Sequence, residues 1–545
     1  MQADFVVEDQ EAQSALLADP TTYGLDESAE VARIDTHASA VFLAGERVYK
    51  LKRAVRFSFM DFSDAAKRRA AAEREVALNR RTAPDLYLGV APIVTAPDGR
   101  LRLGGLGQTP DDALDWVVVM RRFDEATLFD RQASAGTLSD AKLIALAREI
   151  ARFHGEAEPV EGLDWRAAAA DIARGNIADM RGDAGVDQGG VDQGGVDQGG
   201  VDQAALDRLE AATEAALAAK AAALDARASV VRRCHGDLHL RNICEIDGRP
   251  TLFDGIEFND AFAEIDPLYD LAFLLMDLDH RGLARQAALA RDRYLEAVLG
   301  ADDAPTGPRG GWGLLPFYLS MRAAVRAKVS AVGAVVQEDG EAAQTLRDEA
   351  DAYLARAAAY LTPAPARLVA LGGFSGSGKS TLARAVAHAI GPAPGAAILR
   401  SDQLRKARFG VAETERLPES AYASGVSEAV YATLEARAEA LLRDGVSVIA
   451  DATFTHPESR ARIERVAARA GVAFDGLWLD APPDALAARV TARRADASDA
   501  DAAVVARQLD AGAGTIDWRR LAAGGDLPAL AAAARARLGL GGESE

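Results

Sequence analysis

The sequence predicts two domains of different fold class, an α+β domain followed by an α/β domain with a parallel sheet. Strand-like runs open the chain, and mostly helical sequence follows them up to about residue 361. The Pro-rich segment LTPAPAR at 361–367 then marks a boundary. Beyond it, apolar strands alternate with helices, a pattern typical of a parallel α/β sheet.

Length and composition agree with a globular protein of at least two domains. The 545 residues exceed what one hydrophobic core usually supports, and 49% hydrophobic with 26% charged residues is typical of soluble proteins. Cys234 and Cys244 lack metal-ligand or redox spacing. Because the N-terminal residues are acidic and no apolar run approaches the roughly 20 residues of a membrane helix, we expect a cytoplasmic protein.

The first domain is predicted to begin with a hairpin, a helix and further strands. The segment SAVFLAGERVYKLK at 39–52 has two apolar runs around an Ala-Gly-Glu-Arg turn, which predicts a hairpin. Residues 62–81 are rich in helix formers, with charges at helical spacing. DWVVVMRRF at 115–123 is typical of a buried strand. Residues 1–29 are expected to form an N-terminal extension.

A repetitive segment interrupts the helical part of this domain. Residues 185–203 repeat a Gly-rich pentad with regular aspartates and no basic residue. Such a segment cannot bury enough apolar surface to order itself, so it predicts a flexible insertion. A helix is expected over 204–227, and further helices up to about residue 361.

The stretch CHGDLHLRNICEIDGRPTLFDGIEF at 234–258 carries the residue types that phosphoryl transfer from ATP requires. That chemistry needs a carboxylate to orient the acceptor hydroxyl, and an amide oxygen and a second carboxylate to hold metal ions. Asp237, Asn242 and Asp254 occur in that order, the last at the end of the strand PTLF. Turn capping by Asp237 and Asn242 is the structural alternative.

The pattern H-G-D-x-H-x-x-N, followed by a strand ending in Asp, resembles aminoglycoside phosphotransferases and related protein-kinase-like enzymes. The resemblance covers about residues 30–360 and implies a bilobal α+β fold, with Asp237 as the catalytic base and Asn242 and Asp254 as magnesium ligands. His235 is expected to tie down the loop. Downstream, Asp266 before Pro267 suits a helix N-cap, and Asp270 is expected to be structural.

The N-terminal hairpin supports the same interpretation. In kinase-like folds a strand lysine contacts the nucleotide phosphates and pairs with a glutamate of a helix. Lys50 and Lys52 lie on one face of the predicted strand, and we expect Lys50 to pair with Glu73 or Glu75, with Glu73 assigned to the cofactor site. The segment VVVMRRF is then the link between lobes. The phosphate-covering segment DTHASAVF lacks the glycines of protein kinases.

A second phosphate site is predicted beyond the boundary. GGFSGSGKST contains a complete G-x-x-x-x-G-K-S loop between the strand RLVAL and a helix, the context that phosphate binding requires. Its backbone N–H groups and the helix N-terminus favour phosphate, Lys379 is expected to reach the β- and γ-phosphates, and Ser380 to ligate magnesium. The nucleotide-binding residues predicted here are Gly373, Gly376, Ser377, Gly378, Lys379, Ser380 and Thr381.

Charged residues downstream indicate the class of this domain. Asp402 and Arg405 form an S-D-x-x-R element after a strand, and Asp451 ends the buried strand VSVIAD. The element resembles small P-loop kinases, including polynucleotide, gluconate and chloramphenicol kinases and zeta-toxin-like enzymes. By that resemblance Asp402 activates or orients the acceptor hydroxyl and Arg405 binds the acceptor. The position of Asp451 at the end of a buried strand indicates a Walker-B-like metal ligand or a substrate-side carboxylate. The expected lid over the γ-phosphate carries Arg489, Arg493 and Arg494.

The sequence therefore predicts a fusion of two kinases that use ATP and Mg²⁺, a kinase-like domain over 30–362 and a P-loop domain over 366–540. Small molecules with a hydroxyl group are the expected acceptors. Three alternatives stay open: a regulatory or ligand-binding first domain, a nucleic-acid end kinase, and a motor ATPase. The net charge of −20 argues against broad nucleic-acid binding, and the second domain is short for a motor.

Overall fold

The computed structural model describes residues 7–36, 38–57, 60–182, 201–300, 303, 309–337, 340–492 and 497–541. The chain forms two compact units. Unit 1 comprises Met1–Glu161, Val231–Leu274 and Val332–Gln344, and unit 2 comprises Gly162–Val230, Leu275–Ala331 and Thr345–Glu545. These units divide the helical part of the predicted first domain, and the boundary near residue 362 stays a prediction. Most of the predicted insertion at 185–203 lies outside the described residues.

The strands of the described ranges are numbered in chain order. They are β1 Ala32–Asp35, β2 Ser39–Ala44, β3 Arg47–Lys52, β4 Arg56–Phe57, β5 Met60–Asp61, β6 Tyr87–Thr95, β7 Leu101–Leu103, β8 Asp115–Arg121, β9 Arg232–Arg233, β10 Ile243–Ile246, β11 Arg249–Leu252, β12 Glu264–Ile265, β13 Arg367–Gly372, β14 Ala397–Arg400, β15 Val448–Asp451, β16 Ala473–Asp480 and β17 Arg519–Ala522.

The helices of the described ranges are numbered in the same way. They are α1 Glu11–Ala18, α2 Ala65–Asn79, α3 Phe129–Ser134, α4 Asp140–Glu156, α5 Trp165–Arg181, α6 Gln203–Ala219, α7 Ala221–Arg227, α8 Pro267–His280, α9 Ala284–Val298, α10 Leu315–Val336, α11 Gly340–Tyr360, α12 Lys379–Val386, α13 Ser401–Arg408, α14 Ser424–Arg443, α15 Pro457–Ala470, α16 Pro483–Ala492, α17 Ala502–Ala511 and α18 Leu527–Leu538.

Unit 1 contains a six-stranded antiparallel sheet in the order β1-β2-β3-β8-β6-β7. The predicted hairpin is confirmed, because β2 and β3 pair up to Ala44 and Arg47 with Gly45 at positive φ in the turn. Along β3 the side chains alternate between two apolar clusters. Tyr49 and Leu51 pack in the cluster that contains Leu17 of α1. Val48 packs against α2, and alternation places Lys50 and Lys52 on that same face.

A two-stranded hairpin in unit 1 positions the residues of the sequence motif. β10 and β11 pair antiparallel, with Ile243 opposite Leu252. Because Asn242 directly precedes β10 and Phe253 directly follows β11, the two ends of the motif meet there, and the Phe253 N–H donates to the Asn242 carbonyl at 3.0 Å. The hairpin therefore explains how residues twelve and more positions apart reach one site.

Unit 2 contains a parallel sheet in the order β14-β15-β13-β16-β17. β13 lies in the middle, and the chain proceeds from it to one side of the sheet and later to the other. Ligands of such sheets bind beyond the carboxyl ends of the strands where the strand order reverses. The loop between β13 and α12 lies at this point.

The predicted fold class, an α+β part followed by a parallel α/β part, is confirmed by these sheets. The Asp266 cap is also confirmed, since its Oδ1 accepts the Leu268 N–H at 2.8 Å. The helix expected over 204–227 is two helices, α6 and α7, which meet at Lys220. None of the helices in the described ranges combines the length and apolar character that a bilayer crossing needs.

Candidate active sites

Lys50 is the centre of the first site. Its ammonium lies 3.0 Å from Glu75 Oε1 and 2.6 Å from Asp254 Oδ1. Glu75 projects from the buried face of α2 and its side chain is fully buried, whereas the Asp254 side chain is 42% exposed. One carboxylate thus fixes the lysine from the core, while the other faces solvent and is accessible to a ligand.

The assignment of Glu73 to this site is corrected to Glu75. The Glu73 carboxylate pairs with Arg69 Nε at 2.9 Å, one turn earlier on the exposed face of α2. The buried positions of α2 include Ala72, Glu75, Val76 and Asn79, which follow helical spacing. Glu73 lies off this face, so it does not reach β3.

A second lysine extends the network, and sequence reasoning missed its partner. Glu75 Oε2 lies 2.5 Å from Lys52 Nζ, so its two oxygens hold two lysines. Lys52 also bonds the buried carboxylate of Glu257. Glu257 follows Asp254 by three positions in the sequence, and this proximity is the signal that could have identified it.

Burial and neighbouring charges shift the pKa values of these groups in opposite directions. Burial lowers the pKa of Lys50, but the carboxylates of Asp254 and Glu75 outweigh it and hold that pKa well above its usual value. Burial tends to raise the pKa of Glu75, and the two lysines bring it below the usual value. Burial raises the pKa of Glu257, with Lys52 opposing. The lysines and Glu75 therefore stay charged at neutral pH.

Asp237 and Asn242 lie together in the loop before β10. Asn242 Nδ2 donates to Asp237 Oδ2 at 2.7 Å and to the Asp237 carbonyl at 3.0 Å. The Asp237 side chain is 36% exposed, with His239 Nε2 at 3.3 Å from Oδ2. The structure therefore brings these two predicted residues into direct contact and leaves the Asp237 carboxylate open to solvent.

Asp270 fixes the start of this loop. Its Oδ2 accepts the His235 N–H at 3.0 Å, its Oδ1 accepts the Gly236 N–H at 2.9 Å, and His154 Nε2 lies 3.1 Å from Oδ2. His154 and Asp270 also lie close to Cys234. Backbone N–H groups bond both oxygens of the Asp270 carboxylate. Asp270 therefore shapes the loop, which is the structural role expected for it.

The segment around Asp254 is tied to the same loop. His235 Nε2 donates to the Phe253 carbonyl at 2.9 Å, and the Ile256 N–H donates to the His235 carbonyl at 2.9 Å. These bonds confirm that His235 ties the loop down. Asp254 itself has a positive φ of 60°, a conformation that costs energy for a residue with a side chain. The Tyr87 hydroxyl accepts its N–H at 3.1 Å.

The glycine-rich loop of unit 2 has the geometry that its sequence predicts. Gly373, Gly376 and Gly378 have φ values of 141°, 86° and 94°. A Cβ at Gly373 would lie 2.7 Å from the Leu479 carbonyl oxygen, and one at Gly376 would lie 2.6 Å from that of Leu486. Glycine is therefore required for both conformation and space at Gly373 and Gly376, and backbone N–H groups in turns of this kind form concave anion sites.

The lysine and serine of this loop have defined partners. Lys379 Nζ donates to the Gly373 carbonyl at 2.8 Å and to the Phe374 carbonyl at 3.1 Å. Ser380 Oγ donates to Asp451 Oδ2 at 2.6 Å. Ser377 is buried, and Thr381 is exposed in the first turn of α12. The structure thus joins Ser380 and Asp451, two predicted metal ligands far apart in the sequence.

Asp402 and Arg405 lie on α13, close to this site. Burial raises the pKa of Asp402, while Arg400 and a hydrogen bond from Ser498 oppose that rise. Arg405 is buried; its Nη1 donates to the Ala421 carbonyl at 2.6 Å and its guanidinium lies 4.8 Å from the Tyr422 ring centroid. Acceptor binding by Arg405 stays a prediction.

The predicted lid arginines are placed only in part. Arg489 lies on α16, and its Nη2 is 3.5 Å from the Gly525 carbonyl oxygen. Its role at the γ-phosphate stays a prediction. Arg493 and Arg494 lie outside the described residues.

Comparison with known proteins finds similarity in both halves of the chain. Residues 368–513 match the family described as AAA domain. The uncharacterized protein Rv2004c of Mycobacterium tuberculosis is 32% identical over 487 residues, which are 87% of this chain and 90% of that protein. The chain belongs to the same family. This family thus extends over both halves, and the AAA-domain match covers the P-loop part.

Two further proteins share parts of the chain. An adenylyl-sulfate kinase of Myxococcus xanthus is 32% identical over 122 residues, which are 22% of this chain and 60% of that protein. A solved choline/ethanolamine kinase family protein from Mesorhizobium loti has 15% identity and a TM-score of 0.35, covering 66% of this chain and 99% of that chain. The match over residues 368–513 agrees with the predicted P-loop part, and the resemblance of the first part to protein-kinase-like enzymes stays a prediction.

Proposed function

We propose that the protein is an ATP-dependent phosphotransferase with two sites, each of which transfers the γ-phosphoryl group to a hydroxyl group of a small molecule. One observation carries the proposal: each unit places a lysine beside oxygen ligands of the type that magnesium prefers. Lys50 lies 2.6 Å from Asp254 Oδ1 in unit 1. In unit 2 the residue after Lys379, Ser380, bonds Asp451. Similarity to an adenylyl-sulfate kinase supports the assignment for unit 2.

Magnesium fits the ligand chemistry of both sites. Carboxylate, amide and hydroxyl oxygens are the donors that Mg²⁺ takes in sites shared with phosphates. Asn242 and Asp254 would hold the ion in unit 1, and Ser380 and Asp451 in unit 2. When bound, the ion neutralises charge on the phosphate oxygens.

The protein's own groups would orient the reactants. In unit 1 the half-exposed Asp237 carboxylate is held by Asn242, and it would accept the proton of the acceptor hydroxyl. In unit 2 Asp402 would have that role, and burial, which raises the pKa of its carboxyl group, makes the carboxylate a stronger base. Lys50 would keep Glu75 and bind phosphate oxygens in place of Asp254, and Lys379 would bind them in place of its present carbonyl partners.

The composition of the chain and the two proposed bases limit the class of acceptor. Asp237 and Asp402 would each accept a proton from a hydroxyl group. The net charge of −20 disfavours broad contact with nucleic-acid phosphates, so we propose small hydroxyl compounds as acceptors. We further propose that the reactions take place in the cytoplasm, where ATP is available. ATP consumption by the full chain across a set of metabolites would identify the acceptors, and RNA or DNA ends test the nucleic-acid alternative.

Calorimetry with a non-hydrolysable ATP analogue tests the number of sites. Two sites are expected in the wild type, and Lys379→Ala and Asp254→Ala should each weaken one of them selectively. A single site that is lost with Lys379→Ala would mean that unit 1 does not bind ATP. The first domain would then be a regulatory or ligand-binding module.

A further inference from the structure

Helix α9 precedes the Pro-rich boundary in sequence and lies outside the matched residues 368–513. It nevertheless belongs to the same compact unit as the P-loop, because unit 2 contains both Leu275–Ala331 and Thr345–Glu545. Its buried face carries charged residues, among them Arg291 and Arg293. Buried charges need partners, and the partners of these two arginines lie partly beyond residue 366.

A series of ion pairs leads from Arg293 to the P-loop. Arg293 Nη1 donates to Glu413 Oε2 at 3.0 Å. The other oxygen of Glu413, Oε1, lies 3.4 Å from Arg400 Nη1. Arg400 Nε lies 3.5 Å from Asp451 Oδ2, the same oxygen that accepts the Ser380 hydroxyl at 2.6 Å. We call Arg293, Glu413, Arg400 and Asp451 the relay.

The relay is mostly shielded from water, so its charges depend on one another. Side-chain exposure is 9% for Arg293, 5% for Arg400 and 5% for Asp451, and Glu413 is the most exposed member at 26%. Arg293 also pairs with Glu296 at 2.8 Å, and although burial lowers the pKa of Arg293, Glu296 and Glu413 raise it above its usual value. In a low-dielectric surrounding the loss of one charge is felt strongly by its neighbours.

Arg400 interacts with three carboxylates, those of Glu413, Asp451 and Asp402, and we argue that Arg293 influences how Arg400 is shared between the first two. With Arg293 present, Glu413 already has a cation, and Arg400 can also balance Asp451. Without Arg293, Glu413 would draw Arg400 towards itself. Asp451 would then lose the cation that fixes it beside Ser380.

We propose that Arg293 is a positioning residue for the P-loop site, acting through Glu413 and Arg400 on the carboxylate of Asp451. The inference rests on the proposed function of that site as a magnesium–nucleotide site. Residues that orient metal ligands typically change metal affinity by about 10- to 100-fold when they are replaced. Arg293 is separated from Asp451 by two other residues, so we expect a change in affinity at the lower end of that range.

The test measures affinity for a non-hydrolysable ATP analogue with and without Mg²⁺, in full-length chains that carry Asp254→Ala to weaken the site of unit 1. Arg293→Gln should weaken binding in Mg²⁺ about tenfold and leave binding without Mg²⁺ nearly unchanged. Arg293→Lys should restore part of the loss. Arg291→Gln is the matched control, because Arg291 is buried on the same helix and donates to the Gly395 carbonyl at 3.1 Å and to Asp292, outside the relay.

A second variant keeps the test decisive if Arg293→Gln does not fold, as judged by its melting curve. Glu413→Gln interrupts the same relay, should also change the Mg²⁺-dependent part of the affinity, and should not add to Arg293→Gln in the double variant. Equal effects of Arg291→Gln and Arg293→Gln, or unchanged affinity in both relay variants, would overturn the inference. If the Asp254→Ala parent itself shows no Mg²⁺-dependent binding, the proposed function of the P-loop fails, and the inference with it.

Discussion

Glu75 uses both carboxylate oxygens on lysines, Oε1 on Lys50 and Oε2 on Lys52. The lysines continue to Asp254 and Glu257 respectively. Five ionisable groups thus lie in one largely buried network, with Glu75 as the member shared by both branches. A buried network of this kind is sensitive to the loss of a single member, because the remaining charges are left without compensation.

Replacing Glu75 by Gln should destabilise the protein and weaken nucleotide binding in unit 1. Each lysine would keep one carboxylate but lose the other, and breaking a buried pair typically costs about 3 to 5 kcal/mol. Urea unfolding measures the stability, and calorimetry with the ATP analogue measures the binding.

Glu73→Gln is the matched control for this substitution. It is the same chemical change on the same helix, but its pair with Arg69 is on the exposed face, where such pairs contribute about 0.5 kcal/mol or less. If the two variants lost the same stability and affinity, the assignment of Glu75 would be wrong.

Asp237→Ala should abolish phosphotransfer from unit 1 while leaving ATP-analogue binding largely intact. The carboxylate is expected to orient the acceptor hydroxyl and not the nucleotide, and the loop keeps its Asp270 anchors, which bond backbone N–H groups. Turnover is measured in the Lys379→Ala background, where we expect the P-loop site to be inactive. Undiminished turnover there would contradict the role of Asp237.

The residues of the site differ in how far the sequence could predict them. Asp237, Asn242 and Asp254 follow from spacing, because a short loop and a hairpin place them. The choice between Glu73 and Glu75 needed the helical face, which the apolar positions Ala72 and Val76 already indicate. Glu257 pairs with a lysine 205 positions away; its nearness to Asp254 in the sequence indicates the site, but no local pattern encodes the contact with Lys52 itself.

At the scale of elements, the turn between β13 and α12 depends on packing as well as on conformation. Gly376 has a positive φ, and the carbonyl of Leu486 in α16 occupies the space that a side chain would need. The P-loop and α16 are therefore fitted to each other, so a change in one is transmitted to the other.

Gly376→Ala should weaken nucleotide binding to the P-loop by more than about tenfold, equivalent to roughly 1.4 kcal/mol. The added methyl group must displace α16 or distort the loop, in addition to the strain at positive φ. Gly410→Ala is the control, since Gly410 also has a positive φ, of 65°, but no atom within 4 Å of the added Cβ. Calorimetry compares the two, and equal affinities would show that the contact with α16 is unimportant.

Elements with a strong local signal were predicted well, and one break was not. The β2–β3 hairpin, α2, β8 and the P-loop strand and helix all occur where apolar pattern and turn residues indicate them. The break between α6 and α7 has no glycine or proline to mark it. There the Lys220 ammonium donates to the Gly313 carbonyl at 2.8 Å, a tertiary contact that the local sequence does not reveal.

At the scale of the whole molecule, the repeat at 185–203 is predicted to contribute little to stability. Deletion of residues 186–200 should change the melting temperature by less than about 2 °C and leave both activities nearly unchanged, because a long flexible insertion adds little beyond a small loop-closure entropy. Differential scanning calorimetry and ATP turnover of the deletion variant provide the check. A large loss of either would show that the repeat packs against the folded protein.

Composition and periodicity predicted two domains, but they did not predict which segments form the two compact units. The sequence places a boundary at the Pro-rich segment near residue 362, whereas α9 belongs to the unit that contains the P-loop. A Pro-rich segment shows where helices and strands are interrupted. It does not report which helices pack together.

The pair between Arg293 and Glu413 has a consequence for how such a chain evolves. Because a buried guanidinium encoded before the boundary pairs with a carboxylate encoded after it, splitting the gene at residue 362 would break this pair and leave each residue with fewer partners, Glu296 for Arg293 and Arg400 for Glu413. Selection would then act against fission and keep the two halves in one reading frame. The mycobacterial relative, aligned over 87% of this chain and 90% of its own length, retains both halves in a single polypeptide.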